Sequence, residues 1–527
     1  MSSLQYRRDI DGLRAMAILP VLLFHAGFEV FSGGYIGVDV FFVISGYLIN
    51  SIIVREIEQD RFSFNNFWAR RARRILPAAL VMVLATLTVG WFTLAPEDYL
   101  ELGRSARAQA VFSANFIFWE GDGYFAGPSE LKPLLHTWSL AIEEQFYFVF
   151  PLVYMLAWRL FPKHRRLFLI LLFITSLLAS IVLVQPHPSA TFYLLHTRAW
   201  ELLLGSLLAV SISAKHPAPG ICQGVSVAGL FAISLPIFLY DEQTAFPGAA
   251  ALPPTLGTAA IIWANSYHRT WVSQLLSLRL FVGIGLISYS LYLWHWPLMA
   301  FNRYLSVEEP ALIEKVILVA ISFFLAALSY KLVETPLRQK KLFPSNKAIL
   351  TGAAISIIAV AAIGQQIRRG EGYPARLPQE ALNFAIADER TNDQKRCYLL
   401  EADTIRENGP CRFGPAEAGD PAVLLWGDSH ATALLPALKI KAAELEIGIT
   451  HAAKSLCAPM TRNSSQTEQC NDFNESMINF ALEHGIEHVL LAARWSIYSR
   501  GEDDESRYGI LKPNANDVGE PAVAERL

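Results

Sequence analysis

Chemistry-bearing residues first appear near the N-terminus. Asp11, Arg14, His25 and Asp39 stand inside two apolar segments, IDGLRAMAILPVLLFHAGFEVFSGGYIGVDVFFVISGYLI at 10–49. On a helix, Arg14 and His25 are separated by about three turns plus 20°. Asp11 falls close to the same line, so the three share one face. The rise from Arg14 to His25 is roughly 16 Å, about half of a hydrocarbon core. Pro20 between them removes a backbone hydrogen bond and is expected to kink the helix. Ionisable groups in spanning helices are costly, so such residues turn toward a bundle interior and mark a functional site. The competing structural reading is an Asp–Arg pair with a hydrogen-bonded core histidine.

Further along, RRARRILP at 70–77 sets Arg71 and Arg74 three apart on one helical face, with Arg70 and Arg73 beside them as a cationic mouth. Planar guanidinium groups suit bidentate recognition of phosphate. LLHTWSLAIEEQFYFVFP at 134–151 carries Glu143 and Glu144 into an apolar helix, with His136 just ahead. Adjacent carboxylates cannot face one direction. One is expected to pair with Arg198 or another buried base, and the other to orient His25. TRAWELLLGSLLA at 197–209 holds Arg198 and Glu201 at i and i+3. ISYSLYLWHWPL at 287–298 puts His295 in an aromatic cluster, and Glu334 in VETPLR, just ahead of Pro336, reads as a helix end. Near the C-terminus, AVLLWGDSHATALLPALK at 422–439 reads as strand, tight turn at Gly427, then helix. Asp428 and Ser429 occupy that turn, near a helix N-terminus whose dipole favours negative charge.

These segments resemble the membrane acyltransferase-3 family. The matching residues are DGLRA at 11–15, the Arg14–His25 pair, GVDVFFVISGYLI at 37–49, Arg71 and Arg74, HTWSLAIEEQFY, and the stretches around Arg198 and His295. They cover most of residues 5–340. The family moves acetyl or other acyl groups from a cytoplasmic coenzyme A thioester onto glycans. The resemblance therefore implies acetyl-coenzyme A as the acyl-donor substrate, bound by Arg14, Arg71 and Arg74, with catalysis at His25, Glu143 and Glu144. Asp11, Asp39, Asp428, Arg198 and His295 are structural or secondary candidates. No permanently bound cofactor and no metal are expected.

The elements that must position these residues follow from composition. The chain has 527 residues, 53% hydrophobic and only 17% charged, with a net charge of −3. Its mean hydropathy of +0.32 is too apolar for a soluble protein of this size. Nothing points to nucleic acid. Eleven spans of the ~20-residue length a bilayer requires are expected, near 10–30, 35–55, 75–95, 136–157, 167–185, 198–213, 222–240, 255–267, 279–300, 311–333 and 348–367. The loop at 96–133 is expected to be long and functional, with an interfacial helix near 105–118 and aromatic and glycine residues Trp119, Gly121, Gly123, Tyr124 and Phe125. Alternate loops carry most of the arginine and lysine, among them Arg55, Arg61, Arg159, Arg165, Lys215, Arg269, Arg338 and Lys347. That bias puts the N-terminus in the cytoplasm and residues after about 368 outside. No cleavable leader is expected, because Met1–Arg8 runs straight into the first helix.

Cys222 lies in an apolar run, whereas Cys397, Cys411, Cys457 and Cys470 follow the last span. The local pairs Cys397–Cys411 and Cys457–Cys470 are favoured among three pairings. They imply an oxidising compartment, in agreement with the loop charges. Zinc is the alternative, but no Cys-x-x-Cys spacing is present.

The expected fold is a multi-span α-helical membrane domain of about eleven helices followed by a periplasmic α/β domain. The divisions are 5–345, an additional helix at 346–368, a linker and extension at 369–420, and 421–527. In the last part, strands at 447–452 and 486–492 flank a helix at 472–484, a parallel α/β pattern. The Gly-Asp-Ser-His run resembles the first block of the SGNH hydrolase/transferase family, a flavodoxin-like fold. That implies Ser429 as nucleophile, with its backbone N–H as an oxyanion donor. The family's Asp-x-x-His is missing, since His430, His451, His484 and His488 all lack an Asp three residues before. Arg494-Trp495 stand where an oxyanion asparagine is usual. The domain is therefore expected to be incomplete at its C-terminus, leaving Ser429 without a base.

The reading that follows is an inner-membrane O-acetyltransferase acting on a cell-envelope glycan such as O-antigen, another surface polysaccharide or peptidoglycan. Its partners are acetyl-coenzyme A, the glycan and the lipid bilayer. Two rivals remain. One is a transporter whose buried charges form the path, although no internal repeat is visible. The other is a periplasmic esterase on a passive anchor, which the missing Asp-x-x-His disfavours.

Overall fold

The computed structural model describes residues 6–121, 129–160, 163–212, 217–306, 310–379, 381, 392–398, 400–414, 423–461 and 466–495. Gly123, Tyr124, Phe125, Lys215 and the tail beyond residue 495 lie outside the described residues, and with the tail lies the expected incompleteness of the last domain. The chain divides into two compact units, Met1–Arg376 and Leu377–Leu527.

The first unit is helical. Its helices are α1 (Arg8–His25), α2 (Gly37–Glu58), α3 (Phe64–Thr93), α4 (Pro96–Ala110), α5 (Ala114–Glu120), α6 (Thr137–Leu160), α7 (Arg165–Leu183) and α8 (Pro188–Tyr193). There follow α9 (Leu195–Ser211), α10 (Pro219–Leu239), α11 (Leu252–Tyr267), α12 (Trp271–Leu276), α13 (Arg279–Leu305), α14 (Leu312–Ser329), α15 (Thr335–Arg338) and α16 (Asn346–Arg369). A helix stands at each of the eleven expected positions. Among the described residues, seven are long and apolar enough to cross a membrane: α2, α3, α6, α7, α10, the α14–α15 stretch and α16. The other four are α1, α9, α11 and α13. Helices α9 and α11 have 17 and 16 residues, while α1 and α13 carry the polar side chains of the site described below. Helices that gather buried polar groups depart most from a lipid-spanning composition.

Two local expectations are corrected. Residues 96–120 are mostly helix, as α4 and α5, not a long loop. Pro96 opens α4 at a position where its missing N–H costs nothing. Glu334 does not end a helix: α14 passes through a π-helical turn, Tyr330–Glu334, into α15. Helix α1 continues through Pro20 to His25.

Two close crossings fix the site-bearing helices. A Cβ on Gly285 of α13 would lie 1.8 Å from the Asp11 carbonyl oxygen, so only glycine lets α13 touch α1 there. On α2, a Cβ at Gly46 would lie 2.0 Å from the Leu202 oxygen, and Gly205 of α9 meets the Val43 oxygen in return. Helix α1 thus sits against α2 and α13, with α9 behind α2. Ile18, Val21, Leu22, Phe42 and Leu291 form part of the buried core around them.

The second unit carries a four-stranded sheet, ordered β1 (Cys411–Phe413), β3 (Ile449–Ala453), β2 (Val423–Gly427), β4 (His488–Ala492). Strands β3, β2 and β4 are parallel, with Trp426 opposite Ala452 and Leu491, and β1 is antiparallel to β3. Helices Ser429–Glu444 and Glu468–Glu483 provide the crossovers. Disulfides Cys397–Cys411 and Cys457–Cys470 join the favoured local pairs, and Cys222 is a buried free thiol.

Candidate functional site

The first part of the site is a cavity inside the helical unit. Arg14 from α1, Arg71 and Arg74 from α3, Ser45 from α2, Ser139, Glu143 and Tyr147 from α6, and Tyr289 and Tyr292 from α13 line it. Its volume is about 80 Å³, enough for a few waters or a slim chain but far below the ~300 Å³ of a drug-sized pocket. Arg71 and Arg74 reach it together because i and i+3 share a helix face. The Arg71 guanidinium lies over the Tyr147 ring, 5.7 Å from its centre. Arg14 keeps a loose ion pair with Asp11 at 3.5 Å, and the Tyr6 hydroxyl donates to the same carboxylate at 2.7 Å. Glu143 accepts from Ser45 Oγ at 2.9 Å and from the Tyr147 hydroxyl at 3.4 Å.

The expected four-arginine mouth is corrected. Arg70 is partly exposed and pairs with Glu56 at 3.0 Å. Arg73 is buried and donates to Asn346 Oδ1 and to the carbonyls of Phe343, Pro344 and Ser345, which satisfies the turn that starts α16. Glu144 is buried beside Glu143 but is not among the cavity-lining residues.

At one end of the cavity, Ser139 Oγ and the Tyr292 hydroxyl are 2.7 Å apart. Tyr292 also donates to the His136 carbonyl at 2.9 Å. The His136 and His295 rings lie 5.5 and 5.4 Å from the Tyr292 ring. His295 then meets His25, with His25 Nδ1 3.0 Å from His295 Nε2. The tautomers follow from the next contact. His295 Nδ1 is 3.1 Å from the Leu291 carbonyl, which only accepts, so that nitrogen carries a proton. In the neutral pair, His295 Nε2 is therefore an acceptor and His25 Nδ1–H the donor. The Nε2 of His25 is left with a bare lone pair. Trp296 packs edge-on against His25 at 4.6 Å, and its indole N–H donates to the Lys132 carbonyl. Neither Glu143 nor Glu144 orients His25, contrary to expectation. The orienting group is His295.

Arg198 is likewise corrected. It pairs with Asp39 at 3.0 Å and Glu201 at 3.3 Å, not with a carboxylate of α6. All three are fully buried, and the rings of Phe42, Trp138, Phe192 and Phe246 surround the guanidinium at 5.4–5.7 Å. This cluster pins α2 to α9 and explains Asp39 structurally.

In the second unit, Ser429 begins a helix at the C-terminal edge of the parallel strands, where α/β folds bind ligands. Asp428 is buried and fully occupied as a cap. It accepts from the His430 backbone N–H at 2.8 Å, from His430 Nδ1 at 3.0 Å and from the Arg494 N–H at 3.0 Å. His451 is locked between the Leu425 carbonyl and Thr432, and burial holds its pKa down at about 4. Among the described residues, no hydrogen bond joins Ser429 Oγ to an imidazole.

Residues 7–368 match a family model described as an acyltransferase domain, acyltransferase-3. That is more than half of the chain. The chain belongs to the acyltransferase-3 family. Residues 396–525 match a second model, an SGNH domain of the type fused to acyltransferase-3 domains. Among curated relatives, an O-acetyltransferase OatA of Staphylococcus aureus is 33% identical over 64% of this chain and 58% of its own length. A peptidoglycan O-acetyltransferase OatA of Listeria monocytogenes is 32% identical over 64% of this chain and 56% of its own. The alignments thus span little more than half of these relatives. No solved structure matches.

Within this acyltransferase-3 domain the sequence reading missed Ser139, Tyr147, Tyr289 and Tyr292. Tyr292 sits one turn before His295, and Ser139 one turn before Glu143. Helical spacing from the recognised residues was the available signal.

Proposed function

We propose that this chain is an O-acyltransferase that takes an acetyl group from acetyl-coenzyme A at the arginine cavity and delivers it to a hydroxyl of a cell-envelope glycan. The observation that carries the reading is the arginine cavity of Arg14, Arg71 and Arg74, whose lining residue Tyr292 packs against His295, the residue that holds His25 by Nδ1. The narrow cavity suits the flexible arm of coenzyme A, with the nucleotide outside and its phosphates on the guanidinium groups. The relatives' names support acetyl as the group and peptidoglycan as one acceptor.

His25 acts as the acyl carrier. Its Nε2 attacks the thioester carbonyl carbon, the N–C bond forms, and the C–S bond breaks. The thiolate leaves as an anion toward the arginines. The resulting acyl-imidazolium keeps its Nδ1 proton in the hydrogen bond to His295 Nε2. An acceptor hydroxyl then takes the acetyl group, and its proton returns to His25 and finally to the thiolate. In the complete pathway Ser429 accepts the acetyl as an ester before the sugar does, with the N-terminus cytoplasmic and the SGNH domain periplasmic in an inner membrane.

The test is transfer from labelled acetyl-coenzyme A in inverted membrane vesicles, with peptidoglycan fragments and O-antigen supplied as separate acceptors. Label on protein or glycan that disappears in His25→Ala is expected. No coenzyme A binding and no label in the unaltered chain would remove the acyltransferase reading.

A further inference from the structure

His136 has no role in the steps above, yet it is one of the least comfortable side chains in the helical unit. It is 3% exposed, and among the described residues neither ring nitrogen has a hydrogen-bond partner. The Leu293 carbonyl approaches without hydrogen-bonding geometry. A buried polar group left unpaired is destabilising, so a purely structural position would favour an apolar residue. The backbone around it is well fixed: the His136 carbonyl accepts from Ser139 Oγ at 3.3 Å and Tyr292 at 2.9 Å. The ring stands 5.9 Å from that of His295 at 74°, beside the group that holds His25. Ser139 and Tyr292 close the cavity at this end. His136 itself does not line the cavity, but its ring stands 5.5 Å from that of Tyr292, which does.

We propose that His136 is a substrate-contacting residue of the donor half-reaction, and that its free N–H hydrogen-bonds the carbonyl oxygen of the acyl-thioester as it arrives at His25. The oxygen gains negative charge when Nε2 adds to the carbonyl carbon, so the bond strengthens in the transition state. Before substrate arrives the donor is unpaired, and no competing protein bond has to break. This inference rests on the reading of His25 as acyl acceptor and adds recognition of the acyl group itself.

The experiment compares binding of acetyl-coenzyme A and of coenzyme A, which lacks the carbonyl, to the detergent-solubilised full chain and to His136→Phe and His136→Asn. Single-turnover labelling from acetyl-coenzyme A is measured on the same samples. The unaltered chain is expected to bind the thioester about threefold to tenfold more tightly than the thiol. His136→Phe is expected to erase that preference, keep coenzyme A affinity, keep or raise the thermal midpoint, and slow labelling about 100-fold. His136→Asn, which keeps a donor, recovers part of both. A preference for the thioester that survives in His136→Phe overturns the proposal. So does a variant that loses coenzyme A affinity and thermal stability together, because that marks a packing role. Loss of labelling in His136→Phe with no effect of His25→Ala refutes the carrier role of His25 instead, and the two failures are read separately.

Discussion

His295→Leu tests the tautomer argument most directly. In the neutral pair, His25 Nδ1 donates to His295 Nε2 across 3.0 Å, which leaves Nε2 of His25 unprotonated. A neutral hydrogen bond of this kind is worth about 1 kcal/mol, or about fivefold in tautomer population. Acyl transfer puts a positive charge on His25, and a hydrogen bond from a charged donor is worth about 1.5–3 kcal/mol. Leucine removes that stabilisation, so the transfer rate is expected to fall about tenfold to 150-fold. Affinity for acetyl-coenzyme A stays unchanged, because the cavity arginines are untouched. His295→Gln keeps an acceptor oxygen and is expected to recover part of the rate. The assay is single-turnover labelling from acetyl-coenzyme A, with coenzyme A affinity and thermal midpoint measured on the same samples. Unaltered rates in His295→Leu, or a loss confined to affinity or folding, would refute the assignment of His295 as the positioning residue for His25.

Arg71→Ala with Arg74→Ala is expected to weaken acetyl-coenzyme A binding at least 100-fold, at about 1.5–3 kcal/mol for each charge-assisted bond. Arg73→Ala, by contrast, should lower the thermal midpoint and spare affinity, as titration calorimetry and melting would separate. Arg198→Met leaves Asp39 and Glu201 buried without their cation and should cost about 3–5 kcal/mol of stability. Adding Asp39→Asn and Glu201→Gln removes the stranded charges and should restore most of it in detergent melts. In the second unit, burial depresses the His451 pKa to about 4, below its ordinary value of about 6.5. The unfolded chain therefore binds the extra proton first. Stability is fully present above pH 6.5 and falls as pH drops toward 4, by about 3 kcal/mol at most. Denaturant midpoints at pH 7.5 and 5 should show the slope, and His451→Gln should flatten it.

The sequence made the helical positions legible because a hydrocarbon-length apolar run is a strong signal, and all eleven expected segments contain a helix. Length and polarity then separate the seven apolar helices from α1, α9, α11 and α13. Arg14, Arg71, Arg74 and His25 were identifiable because each is an ionisable group in an apolar setting. Which partner each one meets was not legible. Arg198 had a carboxylate at i+3 in Glu201, but its second partner, Asp39, lies 159 positions away. The His25–His295 contact spans 270 positions. No local spacing encodes such pairs, and charge complementarity favoured the wrong carboxylates. The three-residue β1 was hidden for a related reason: pairing with β3 and the Cys397–Cys411 bridge hold it, not its own propensity.

The arrangement around Ser429 yields one further expectation. Asp428 spends one carboxylate oxygen on His430, through both its backbone N–H and Nδ1, and the other on the Arg494 N–H. It is therefore a cap that shapes the turn at Ser429. His451 is held neutral between Leu425 and Thr432 and has no free nitrogen to offer. The donor half-reaction, in contrast, draws on groups of the helical unit alone: His25, His295, His136 and the arginine cavity. Ser429→Ala should then leave protein-bound label from acetyl-coenzyme A intact and acid-labile, as an acyl-imidazole is, while label on the glycan falls to background. His25→Ala should abolish both. The diagnostic measurement is the ratio of protein-bound to glycan-bound label. If Ser429→Ala also abolished the protein-bound label, the acetyl group would reside on the serine alone, and His25 would serve as a base and not as the carrier.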